Sequence, residues 1–112
     1  MTSVLQVIEP TGILDGTKTK EFNERINKSI ESGTQIILVD FKNVTFMDSS
    51  GLGSLVKALK ASKAADTKLC LCSINEQIKI LFELTNMEQY FSIYADRAEF
   101  QSHLTQQEVV EL

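Results

Sequence analysis

The sequence predicts an α/β domain built on a mostly parallel central sheet of four or five strands with about four helices. Three observations lead there. Ile36-Ile37-Leu38-Val39 is an uninterrupted apolar and largely β-branched run, the pattern of a strand buried on both faces. Residues 49–63 place Leu52, Leu55, Val56 and Leu59 at i, i+3, i+4 and i+7, with Lys57, Lys60 and Lys63 off that stripe, the pattern of a helix lying on a sheet. Strand-like and helix-like segments then alternate along the chain, and such alternation implies parallel pairing through crossover helices.

Each element has its own justification. Residues 4–8 read as a short strand. Pro10-Thr11-Gly12 interrupts it before Ile13-Leu14-Asp15-Gly16, so this stretch is an edge strand, a bulge or a tight hairpin, because proline cannot donate to a ladder. Residues 17–32 read as a helix with Phe22, Ile26 and Ile30 every fourth residue, and Gly33 stands where a left-handed C-terminal cap belongs. Beyond the central strand, Phe41, Val44, Phe46 and Met47 continue the apolar contacts. Residues 68–72 form another apolar strand. Ser73 or Asn75 can cap a third helix whose inner face is Ile78, Leu81 and Phe82. Residues 90–94 read as a last strand and 95–103 as a last helix. The 112 residues are predicted to form one domain, 1–112, with its core at about 4–103 and a polar tail at 105–112.

Composition narrows the function. Hydrophobic residues make up 43% of the chain and charged residues 23%, so a folded domain and not a disordered chain is expected. A net charge of −4 argues against direct nucleic-acid binding, which rests on Lys and Arg neutralising phosphates. No apolar run is long enough to span a membrane, and MTSVLQVIEP lacks the features of a signal peptide, so a cytoplasmic protein without a membrane partner is expected. Cys70 and Cys72, two apart on a strand, point to one face; they are predicted to be buried thiols and not a disulfide or a zinc site. No cofactor or metal site is indicated.

The informative segment is Phe46-Met47-Asp48-Ser49-Ser50-Gly51-Leu52-Gly53, which is read as joining the most buried strand to the helix with the cleanest stripe. Sites in parallel sheets collect at the carboxyl ends of strands. Ser49 or Ser50 can cap the helix, and Gly51 and Gly53 lack side chains, so another protein could come close there. The segment matches neither the Walker phosphate loop nor the G-x-S-x-G nucleophile elbow. A Ser–His–Asp triad would need His103, the one histidine, from the far end of the chain. A receiver-type phosphoaspartate site would need an acidic pair to hold a divalent cation, and the chain offers only Asp15 there.

The same segment resembles the signature of STAS domains, and more narrowly that of bacterial anti-sigma factor antagonists. Gly12-Ile13-Leu14-Asp15 resembles the family's early G-x-L-D element; residues 68–72, 78–85 and 91–94 resemble its later strand, helix and closing strand. Two departures lie near the start. Few residues precede the G-x-L-D element, which predicts a missing or rearranged first strand, and Asp15-Gly16-Thr17 predicts an altered loop into the first helix.

The resemblance implies a protein-binding switch and not an enzyme. Its partners would be a serine kinase that doubles as an anti-sigma factor and a metal-dependent serine phosphatase. Ser49 would be the phosphoacceptor, and Asp48 would hold the loop. Ser50 would cap the helix or accept phosphate secondarily. Gly51 and Gly53 would permit close approach, with Asp15 shaping the site from a neighbouring loop. The alternative within the same fold is a non-switching STAS interaction module, either a stress-signalling scaffold or a small subunit of a lipid-transport complex.

Overall fold

A computed structural model describes residues 4–111, with side-chain surroundings as far as Leu104. Its strands are β1 (Leu5–Ile8), β2 (Gly12–Leu14), β3 (Ile36–Asp40), β4 (Val44–Met47), β5 (Lys68–Cys72) and β6 (Ser92–Tyr94). Its helices are α1 (Thr19–Glu31), α2 (Ser49–Ala64), α3 (Glu76–Leu84) and α4 (Arg97–Glu111), with a short 3₁₀ turn at Glu88–Tyr90. The polar tail continues α4.

The main sheet has the order β1-β3-β5-β6, with every neighbouring pair parallel. Alternation along the strands sorts side chains onto two faces. Ile37, Val39, Leu69 and Leu71 turn to one face, where Phe22 and Ile26 of α1, Leu52 and Leu55 of α2, and Ile78 and Phe82 of α3 complete the larger core. Leu38, Cys70 and Cys72 turn to the other, covered by Phe100 of α4. Three helices therefore lie on one face and one on the other, a division that strand periodicity leaves open. Both thiols are buried under α4 as expected.

The first strand segment is an edge strand followed by a bulge, as two of the three readings had it, and not a hairpin. β1 pairs parallel with β3 from Leu5↔Ile36 to Ile8↔Val39. Beyond Pro10 the chain resumes as β2, which pairs parallel with β4 in a separate two-stranded sheet, Leu14 opposite Met47. The register slips between Gly12 and Ile13, so that Gly12 faces Val44 and Ile13 faces Phe46, leaving Thr45 as the extra residue. Gly12 takes φ +75° at this slip, and its N–H donates to the Asn43 carbonyl at 2.9 Å. Pro10 sits in the gap between the two ladders, where its missing N–H costs nothing.

Helix boundaries follow their caps. Gly33 has φ +80°, and the N–H groups of Gly33 and Thr34 donate to the carbonyls of Ile30 and Ser29, a Schellman closure of α1. α1 starts at Thr19 instead of residue 17 because Asp15 to Lys18 are taken up by a turn. For α3 the cap is Asn75 and not Ser73: its Oδ1 accepts the Ile78 N–H at 2.9 Å. Tyr90 belongs to the 3₁₀ turn, and the last strand starts two residues later.

Candidate functional site

Because Leu14 and Met47 face each other at the carboxyl ends of two parallel strands, the turns that follow them are neighbours. One is Asp15 to Lys18, entering α1; the other is Asp48, entering α2. The Asp48 N–H donates to the Leu14 carbonyl at 3.4 Å, tying them together. Asp15, Asp48, Ser49 and Ser50 thus share one end of the two-stranded sheet.

The cap of α2 is Asp48, where the sequence had suggested either serine. Asp48 has extended φ/ψ, and its Oδ1 accepts the Gly51 N–H at 3.0 Å. Its carboxylate also favourably faces the positive end of the helix dipole. With the capping position filled, Ser49 and Ser50 become the first two helical residues, and both are exposed.

The two glycines have different jobs. A Cβ on Gly51 would lie 2.3 Å from the Leu14 carbonyl oxygen and 2.8 Å from Met47 Cγ. Its bareness is used inside the fold, to let α2 start against β2, and not to admit a partner. Gly53 is exposed, and a Cβ there would meet nothing within 4 Å.

Asp15 organises its own turn. Its Oδ1 accepts the Thr17 hydroxyl at 2.6 Å and the Thr17 N–H at 2.9 Å, and these bonds hold its carboxyl below the ordinary value. The turn runs through Asp15, Gly16 and Thr17 to Lys18, whose N–H donates to the Asp15 carbonyl at 3.0 Å. It lies against α2, with a Gly16 Cβ falling 3.8 Å from Ser50 Oγ. Between α1 and α2 the loop opens a cleft of about 320 Å³, lined by Gly16, Thr19, Asn23, Ser50, Gly53, Ser54 and Lys57.

Sequence reasoning missed the residues that hold the site from behind. Gln77 of α3 clasps Met47 like a neighbouring strand: Nε2 donates to the Met47 carbonyl at 2.8 Å, and Oε1 accepts the Met47 N–H at 2.9 Å. Asn75 Nδ2 donates to the carbonyls of Val44 and Thr45 at 3.3 and 3.2 Å. Asn75 could be found as a cap, but its reach to β4 could not, and nothing in the spacing around Gln77 signals its role. His103 lies on α4, its ring 5.4 Å from that of Tyr94, on the opposite side of the main sheet from α2. Among the described residues no group of three or more His, Cys, Asp or Glu could hold a metal ion, and no helix is long and apolar enough to cross a membrane.

This pair of adjacent strand-to-helix turns, carried on a parallel sheet with one helix behind it, is the arrangement of a STAS domain. The STAS-domain family model matches residues 2–100, and the chain belongs to that family. Among its relatives is the anti-sigma-B factor antagonist of Staphylococcus aureus, 34% identical over 82 residues, which are 73% of this chain and 76% of that protein. The corresponding protein of Staphylococcus epidermidis is 33% identical over the same length and shares. In fold, the chain is similar to a Thermotoga maritima protein assigned as an anti-sigma factor antagonist, with TM-score 0.81, 23% identity, and coverage of 88% of this chain and 86% of that one.

Proposed function

We propose that this protein is a phosphorylation-controlled antagonist of an anti-sigma factor. Unmodified, it binds and sequesters an anti-sigma factor that is also a serine kinase. Phosphorylated on Ser49, it lets that partner go, and a metal-dependent serine phosphatase returns it to the binding form. It acts in the cytoplasm as a substrate and switch in transcription control, and the chemistry belongs to its partners. The supporting observation is that Asp48 occupies the cap of α2, which leaves Ser49 exposed at the first turn of a helix beside a second loop. The relationship to anti-sigma-B factor antagonists supports the same reading.

The physics of such a switch is local. A phosphoserine carries about −1.5 to −2 charges at neutral pH. At a helix N-terminus that charge is tolerated by the dipole and the open N–H groups, so the fold survives modification. A partner seated on this surface must instead desolvate a phosphate beside Asp48 and near Asp15. A penalty of about 2.7 kcal/mol already lowers affinity a hundredfold. No large conformational change is required.

The test is incubation with ATP and the anti-sigma-type serine kinases of the same organism, followed by intact mass and site mapping. One phosphate on Ser49, absent from a folded Ser49→Ala variant, together with loss of kinase binding, is the expected result. Stoichiometric phosphorylation of Ser49→Ala would refute the assignment, as would undiminished binding by Ser49→Asp. Neither phosphate nor binding would point to the non-switching interaction module instead.

A further inference from the structure

We propose that the cleft between α1 and α2 is where the partner inserts an acidic side chain, with Gly53 as the bare floor of the seat and Lys57 as its cation. This rests on the protein-binding function proposed above and adds the chemistry of what is bound.

Three observations carry it. First, Gly53 is unexplained by the fold. A glycine inside an exposed helical stretch is less favourable than alanine, and such a cost is usually met by a packing need. Gly51 has that need, with the Leu14 carbonyl 2.3 Å from where its Cβ would stand; Gly53 has open space. Second, the open space is a shallow, solvent-open cleft of about 320 Å³, and Gly16 bares its opposite wall. Third, the cleft is electrostatically selective. In a chain of net charge −4, no acidic side chain lines it, and its one charged residue is Lys57. Among the described residues no carboxylate pairs with Lys57, while Ser50 and Asn23 supply hydrogen-bond donors around it; the Thr19 hydroxyl is already given to the Gly16 carbonyl at 3.1 Å. A carboxylate entering here meets a cation and donors, and a basic side chain meets Lys57.

The cleft also explains why modification at Ser49 acts on the partner. Ser49 precedes Ser50, a lining residue, on the same first turn of α2. A phosphate there puts a like charge beside the incoming carboxylate, and like-charge juxtaposition opposes binding.

The test uses the full chain in two arms. In the first, hexaglutamate is titrated into ¹⁵N-labelled protein at low ionic strength. Amide shifts should concentrate at Gly16, Asn23, Gly53 and Lys57, vanish in Lys57→Glu, and persist in Lys63→Glu. Shifts spread over the other lysines, or indifferent to Lys57→Glu, would overturn the proposal. In the second, Gly53→Ala should raise Tm by about 3–6 °C, because the fold gains helix propensity. It should also weaken binding of the kinase partner at least tenfold. Unchanged affinity in Gly53→Ala would sink the cleft as a seat, even if Ser49 proves to be the switch. If instead Ser49→Asp binds like wild type, the switch fails and the first arm still decides the cleft.

Discussion

Gly51→Ala adds one methyl group and should unfold the protein more readily, although alanine is the better helix former. The methyl carbon would sit 2.3 Å from the Leu14 carbonyl oxygen, about 1 Å inside normal van der Waals contact. That oxygen is backbone, held in the parallel β2–β4 ladder and hydrogen-bonded to the Asp48 N–H. It cannot swing aside as a side-chain tip would. The second clash, 2.8 Å to Met47 Cγ, is with a fully buried side chain. Relief requires the start of α2 to lift from β2, which strains the 3.0 Å bond from the Gly51 N–H to Asp48. Overpacking of this kind costs about 1–3 kcal/mol, and loss of the cap about 1 kcal/mol more. Gained helix propensity returns about 1 kcal/mol. The net loss is about 2 kcal/mol, a fall in Tm of about 6–12 °C for a domain of this size. Urea and thermal unfolding followed by circular dichroism would measure it, with Gly53→Ala as the matched control. If Gly51→Ala were as stable as wild type, Gly51 would not be a packing requirement and the division of labour between the two glycines would collapse.

Other perturbations test the remaining framework. Asp48→Ala should cost about 1 kcal/mol through loss of the α2 cap, and Asp48→Asn, which keeps the acceptor oxygen, should cost less; equal losses in urea melts would show that the cap is not what Asp48 supplies. The buried Asp40 accepts Arg97 Nε at 2.8 Å and the Lys42 N–H at 3.0 Å, while Arg97 also pairs with Glu9. Burial pushes the Asp40 carboxyl up, but these donors more than offset it and hold it below 3.8. Its stabilising contribution is therefore present above pH of about 3.8 and fades as pH falls through the lowered native value. Arg97→Ala should move acid unfolding to higher pH and cost about 2 kcal/mol near neutrality, less than a fully buried pair because the Arg97 side chain is 38% exposed. Cys72, its thiol pushed up to about 11 chiefly by burial, should resist a thiol reagent at pH 8 in the native state and react on unfolding; rapid native labelling would mean that α4 does not cover it.

The sequence carries the main sheet well because its signals are local. The run at residues 36–39 is apolar enough to be central, and the stripes of α1, α2 and α3 are regular enough to show their buried sides. Phe22, Ile26, Leu52, Leu55, Ile78 and Phe82 are all buried as their spacing predicts. What escapes is pairing that depends on two distant segments. Val44–Met47 follows β3 after only three residues and reads as its continuation, whereas it is a separate strand whose partner is 32 residues upstream at Gly12. At the site, the residue types of the central motif were legible and their assignment was not. Aspartate and serine are both good caps, and only the geometry gives the position to Asp48. Likewise, two glycines two residues apart look alike in a sequence, and only the Leu14 carbonyl distinguishes them.

The Gln77 clasp on Met47 has a consequence for how this protein stays itself. A short strand with one open side is a template on which another chain can build, and β4 lies just ahead of the exposed Ser49 and Ser50. Gln77 and Asn75 occupy that open side with amide groups borrowed from a helix, offering donors and acceptors in place of a foreign backbone. The surface around Ser49 can therefore be met by a partner's side chains without inviting its main chain. The repeated binding and release proposed above is thereby guarded, at this strand, against addition of a foreign strand.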